Sequence, residues 1–167
     1  MFLIVRAVVY AALFISLFYV WVPRRLLSTS GIEFPPTIGA TQVAGALLAA
    51  IGAALAVWCI LMFVFVGRGT PAPFDPPRRL VIGGPYRFVR NPMYIGGGTA
   101  LLGGALFYQS FALLLYAAVF FLLAHLIVIG YEEPALRRRF PHQYPVYCTK
   151  AERWLAPSSA RRFSAVS

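Results

Sequence analysis

Charge is what this sequence has least of. Charged residues make up 12% of its 167 positions, with 5 acids in all, whereas a water-exposed surface ordinarily carries about 25%. That excludes a soluble globular domain, and a mean hydropathy of +0.74 agrees. Cysteine is nearly absent too. Cys59 falls in an apolar run and Cys148 near the C-terminus, with no spacing that suits a metal or a redox pair. Two unpaired thiols, no structural disulfide and no metal site are expected. The shortage of acids leaves 15 basic residues and a formal net charge of +10, a balance that in a soluble chain would point to nucleic acid. Here the basic residues sit between and after apolar runs, where cytoplasmic loops concentrate Lys and Arg and meet anionic lipid. Membrane lipids are therefore the expected partners, with neither nucleic acid nor an obligate protein partner.

The uncharged stretches are long enough to cross a bilayer, which takes roughly 20 helical residues. A first span is expected over about residues 2–22, with Arg6 near enough to its end to snorkel and Trp21, Arg24 and Arg25 at an interface. A signal peptide is the rival reading, but no small-residue cleavage site follows. Pro35 and Pro36 are expected to break the helix. A second span, about 38–66, carries Gly45, Ala46, Ala49, Ala50 and Ala53 at spacings that permit close backbone approach. A loop over 67–91 follows, with Pro71, Pro73, Pro76, Pro77 and Pro85, and with Arg68, Arg78, Arg79, Arg87 and Arg90 against Asp75. Pro92 opens a third span to Tyr108, where a proline's missing N–H costs nothing. After Gln109 and Ser110 a fourth span covers 111–130, so the third and fourth form an antiparallel hairpin. The fold expected is an all-α integral membrane bundle of about four transmembrane helices with a cytosolic helical tail, one domain over 1–167. With four spans, all basic residues except Arg24 and Arg25 fall on one side, which places both termini in the cytoplasm.

Two stretches carry the chemistry. One is "GGPYRFVRNPMYIGGG", residues 83–98; the other begins "YEEPALRRRFPHQYPVY" at Tyr131 and runs to residue 157. Taken alone, the second reads as an interfacial helix whose acidic first turn suits the helix dipole and whose Arg137, Arg138 and Arg139 rest on lipid. Topology puts both stretches on one face. Arg87, Arg90, Asn91, Tyr94 and Gly96 to Gly98 then lie opposite Glu132, Glu133, Tyr144 and Tyr147, a cluster at the membrane edge that suits a charged cofactor. Elsewhere, Ala100, Gly103 and Gly104 read as helix-packing residues. His125 reads as a bundle-facing hydrogen-bond donor, and His142 as solvated.

"GPYRFVRNPMYIGG" resembles the G-P-Y-R-x-x-R-H-P-x-Y-x-G signature of the isoprenylcysteine carboxyl methyltransferases and the related phospholipid N-methyltransferases. "EEPALRRRFPHQYPVY" is similar to their E-E-x-x-L-x-x-x-F-G-x-x-Y-x-x-Y tail. The likeness covers residues 83–157, and "GTPAPFDPPRRLV" looks like the loop of small bacterial members. This chain has Asn91 where the signature has His, Pro141 where the tail has Gly, and "AERWLAP" for the usual ending.

The resemblance implies S-adenosylmethionine as methyl donor, a lipophilic acceptor entering from the bilayer, and a place in the bacterial inner membrane. It assigns Glu132 or Glu133 to the donor's amino group. Arg90 or Arg87, with Gly96, Gly97 and Gly98 allowing close approach, would serve its carboxylate. Tyr94, Tyr144 and Tyr147 would serve its adenine, ribose or sulfonium. Arg90, Asn91 and Glu133 are the expected catalytic residues. In-line methyl transfer to a carboxylate needs no strong base, whereas an ammonium acceptor must first lose a proton. The alternatives are an NADPH-dependent sterol-type reductase, which the Glu132–Glu133 pair disfavours, and a non-catalytic lipid-binding membrane protein.

Overall fold

The computed structural model describes residues 2–67 and 78–154. Arg68, Pro71, Pro73, Asp75, Pro76 and Pro77 of the expected loop, and 155–157 of the tail segment, lie outside the described residues. Among the described residues every regular element is helical and no strand forms. Helix α1 passes through Phe2–Ile15, Ser16–Trp21 and Val22–Thr29 without a break. Helix α2 is Ala40–Gly67, α3 is Pro92–Tyr108, α4 is Phe111–Arg139 and α5 is Gln143–Lys150.

Helices α2 and α4 are long and apolar enough to cross a membrane, with mean hydropathies of 2.6 and 2.7. Their large side chains point outward: Leu47, Ile51, Trp58, Phe111, Leu122 and Leu126 are exposed. Small residues pointing inward and large apolar ones outward is the arrangement of helices in lipid, where the surroundings are as apolar as leucine.

Two helices outrun their expected ends, and proline is involved in both. Helix α1 continues past Val22 to Thr29, so Arg24 and Arg25 lie on the helix. Helix α4 continues past Gly130 to Arg139, so Glu132 and Glu133 sit within it. A proline inside an α-helix lacks a donor and crowds the carbonyl four residues back. In both helices a π-helical turn, Ser16–Trp21 or Val128–Glu132, ends two residues before the proline, Pro23 or Pro134. The wider turn takes up the misfit. In the π pattern Val22 N–H bonds Leu17 O, so Pro23 leaves Phe18 O without its donor, and the Tyr116 hydroxyl of α4 supplies one at 3.0 Å. Helix α1 stops before Pro35. Gly31, at φ +64°, caps it while Ile32 N–H bonds Leu27 O and Gly31 N–H bonds Ser28 O, the double closure that favours glycine just beyond a helix end.

Helix α3 stands at the centre. Successive residues of a helix point about 100° apart, so its three consecutive glycines address three neighbours. A Cβ on Gly96 would lie 2.8 Å from Ala56 N and Gly52 O of α2, one on Gly97 would collide with the Tyr19 hydroxyl of α1, and one on Gly98 with the Phe121 ring of α4. The α2 side of this seam is Gly45, Gly52 and Cys59, all buried and seven residues apart. Gly103 faces Gly45 and Ala49, while Gly104 meets nothing. The packing expected of Gly45, Ala49, Ala100 and Gly103 is present; that of Gly104 is not. At the other end of α3, Gln109 adopts a left-handed φ of 48° and the Ser110 side chain caps α4 by accepting from Leu113 N–H at 3.3 Å. The two-residue turn makes α3 and α4 the expected antiparallel hairpin.

Candidate active site

The hairpin brings the start of α3 beside the end of α4, and the tail after α4 folds back across both. Val81 and Tyr86 pack on Cys59, anchoring the loop before α3 to α2. The tail is then laced to that loop. Tyr147 donates its hydroxyl to Tyr86 O at 2.7 Å, Arg90 N–H bonds Glu152 O at 2.8 Å, and Val89 pairs with Glu152 in an isolated parallel bridge. Asn91 occupies the cap position of α3, yet its Nδ2 donates to Arg153 O at 3.1 Å instead of capping the helix. The stretches 83–98 and 131–154 thus meet at one end of the bundle, as topology required.

The adjacent carboxylates have different surroundings. Glu133 is buried and accepts from Arg153 twice, Nε to Oε1 at 2.7 Å and Nη2 to Oε2 at 3.0 Å. Arg90 Nη1 lies 3.3 Å from the same Oε1. The bidentate bond holds the Arg153 guanidinium's proton more firmly than usual. Glu132 instead accepts the Tyr94 hydroxyl, and among the described residues it pairs with no arginine. Tyr94 packs on Phe120, ring centroids 6.5 Å apart.

Arg90 reaches further. Its Nη1 donates to Cys148 Sγ at 2.8 Å, and its buried Nε has no hydrogen-bond partner among the described residues. Arg87 is exposed. Tyr144 and Tyr147 form the small core of the tail with Ala151, against Leu80, Leu136 and Phe140. Arg137 lies 5.9 Å from the Tyr144 ring centre. Burial pushes both phenols above their ordinary range, and the nearby Glu133 adds to this for Tyr144.

The structure therefore groups Arg90, Asn91, Glu133 and the two tail tyrosines into one network, and Tyr94 with Glu132 into a second beside it. Gly96, Gly97 and Gly98 lie in neither; they are buried in helix contacts. Sequence reading left two members of the first network unassigned, Cys148 and Arg153, and did not foresee the bond that Trp154 makes outside both networks. Arg153 stands 20 residues from Glu133, with no local spacing to join them; only the tail's return does so. Trp154 donates to His125 Nδ1 at 3.0 Å, so His125 is an acceptor there and not the donor expected, because an indole can only donate. Cys59 and Cys148 are free thiols.

Charged and aromatic groups are thus gathered at one end of an apolar helical bundle. The sequence model of the phospholipid methyltransferase family matches residues 40–143. The chain belongs to that family, and so to a family of methyltransferases. No curated protein and no solved structure matches it.

Proposed function

We propose that the protein transfers a methyl group from S-adenosylmethionine to a lipophilic acceptor at the cytosolic face of a bacterial inner membrane. In this reading α1 and α3 complete four spans with α2 and α4, and both termini are cytoplasmic. The observation that carries it is the division of the two carboxylates: Glu133 is consumed by arginines, while Glu132 beside it accepts the Tyr94 phenol and pairs with no arginine among the described residues.

The residues suit the donor. A cationic amino group needs a carboxylate not already neutralised, which makes Glu132 its partner. Arg90, whose buried Nε has no partner among the described residues, suits the donor's carboxylate. Tyr94 and Tyr144 offer rings and hydroxyls within the same cluster. S-adenosylmethionine, once bound, supplies a methyl already activated on sulfur. The chain's part is then positioning and exclusion of water. Glu133, Arg153 and Asn91 hold the tail over the site. Gly96, Gly97 and Gly98 let α3 approach its neighbours closely enough to bring Tyr94 to Glu132. The acceptor keeps its chain in the bilayer and presents its head laterally.

Binding to the detergent-purified protein tests the reading. S-adenosylhomocysteine should bind at sub-millimolar concentration and NADPH should not, and labelled methyl should pass to lipid extracts. If neither adenosyl compound binds wild type, the methyltransferase reading fails. NADPH binding would favour the reductase alternative.

A further inference from the structure

His125 stands inside the apolar run Phe111–Ile127, where an unpaired polar group is costly. The other polar side chain of that run, Tyr116, is satisfied by α1 through Phe18 O, a partner fixed within the bundle. His125 is satisfied from the tail instead, by the Trp154 indole N–H at 3.0 Å. Both residues are half-buried, and their neighbours Leu122, Leu126 and Ile129 are exposed. The pair thus stands where the outward apolar side of α4 meets the tail. Trp154 directly follows Arg153, which binds Glu133. Along α4, His125 lies seven residues from Glu132, two turns or about 10 Å.

The indole donates, so His125 Nδ1 presents a lone pair, and only another donor can take the indole's place without leaving that nitrogen unpaired. We propose that Trp154 and His125 form a donor-exchange gate that selects the acceptor: an amine-bearing lipid headgroup bonds His125 Nδ1 in place of the indole. A carboxylate, a thiolate or a quaternary headgroup has no N–H to offer and leaves the gate shut. A primary ammonium carries three donors and a quaternary one none, so the gate admits unmethylated headgroups and lets the indole return over fully methylated ones. This rests on the methyl-transfer reading and supplies its selectivity.

The chain has 3 tryptophans, and Trp21 and Trp58 are exposed, so Trp21→Phe with Trp58→Phe leaves Trp154 as the sole reporter. The full chain is placed in nanodiscs of phosphatidylcholine, of phosphatidic acid, and of phosphatidylcholine partly replaced by phosphatidylethanolamine. Trp154 emission should shift only with phosphatidylethanolamine. His125→Leu should abolish the response, and His125→Gln, which keeps an acceptor, should retain it. Trp154→Phe removes the competing donor but keeps the bulk; it should tighten phosphatidylethanolamine binding about fivefold, the worth of one neutral hydrogen bond, with S-adenosylhomocysteine affinity unchanged. Identical Trp154 emission in all three lipids overturns the gate. So does a Trp154→Phe variant that loses lipid and S-adenosylhomocysteine binding in parallel, which would make the indole a structural latch. The emission does not depend on methyl transfer, whereas failure of the methyltransferase reading shows separately as a wild type that binds no S-adenosylhomocysteine.

Discussion

Arg153 grips Glu133 with both ends of its guanidinium fork, at 2.7 and 3.0 Å, while the preceding carboxylate, Glu132, is left to Tyr94. Adjacent acids are thereby given separate tasks, one securing the tail and the other facing the proposed cofactor. Glu133→Gln should lower stability by about 2 kcal/mol, less than the roughly 3 to 5 of a fully buried pair, because a third of the Arg153 side chain meets solvent. Melting of the detergent-solubilised protein measures this. Glu132→Gln should leave the melt nearly unchanged and abolish S-adenosylhomocysteine binding. Equal losses of stability in the two variants would refute the division.

Tyr94→Phe removes the hydroxyl that orients Glu132 but leaves the ring against Phe120. S-adenosylhomocysteine affinity should fall about tenfold, the cost of a hydrogen bond to a charged group, with the melt little altered. Titration calorimetry on the variant decides it; unchanged affinity removes Tyr94 from the site.

The seam between α2 and α3 admits no side chain at Gly52, where a Cβ would lie 2.5 Å from Ala100 N and Gly96 O. Backbone cannot yield as a side-chain tip can, so Gly52→Ala and Gly96→Ala should each cost about 1 to 3 kcal/mol by overpacking. Gly104, two turns from Gly97 and with nothing within 4 Å, should accept alanine at no cost. A Gly104→Ala variant as unstable as Gly52→Ala would contradict the assignment of α3 faces.

What could be read from the sequence was what local chemistry decides. Helix α3 has its expected bounds because Pro92 and the Gln109-Ser110 turn are signals written at its two ends. The meeting of the two motif segments followed from a count of spans and one short hairpin. Helix α4 outran its expected end because Pro134 usually marks a stop, and the π turn that absorbs it has no signature in the residues themselves. Small residues were legible as a class but not by face: Gly52 belongs to the seam and Gly104 does not. The bonds of Arg153 to Glu133 and of Trp154 to His125 join residues 20 and 29 positions apart. They exist only because the tail turns back over the hairpin, a tertiary event that no spacing announces.

That turn-back gives the protein a pH dependence of defined sign. Burial raises the phenols of Tyr86, Tyr144 and Tyr147 above their ordinary value of 10.0. While the tail is docked they stay protonated; released, they ionise near 10. A raised folded pKa means stability is fully present below the released value and drains away above it. Melting temperature should therefore hold steady from about pH 7 to about pH 10 and fall beyond, as the released phenols begin to ionise. Tyr147→Phe lacks the hydroxyl that donates to Tyr86 O at 2.7 Å and should start about 1 kcal/mol less stable at neutral pH. It also has one ionisable phenol fewer, so its decline above pH 10 should be shallower than that of wild type. Parallel alkaline slopes in the two proteins would show that the tail's tyrosines do not set the limit.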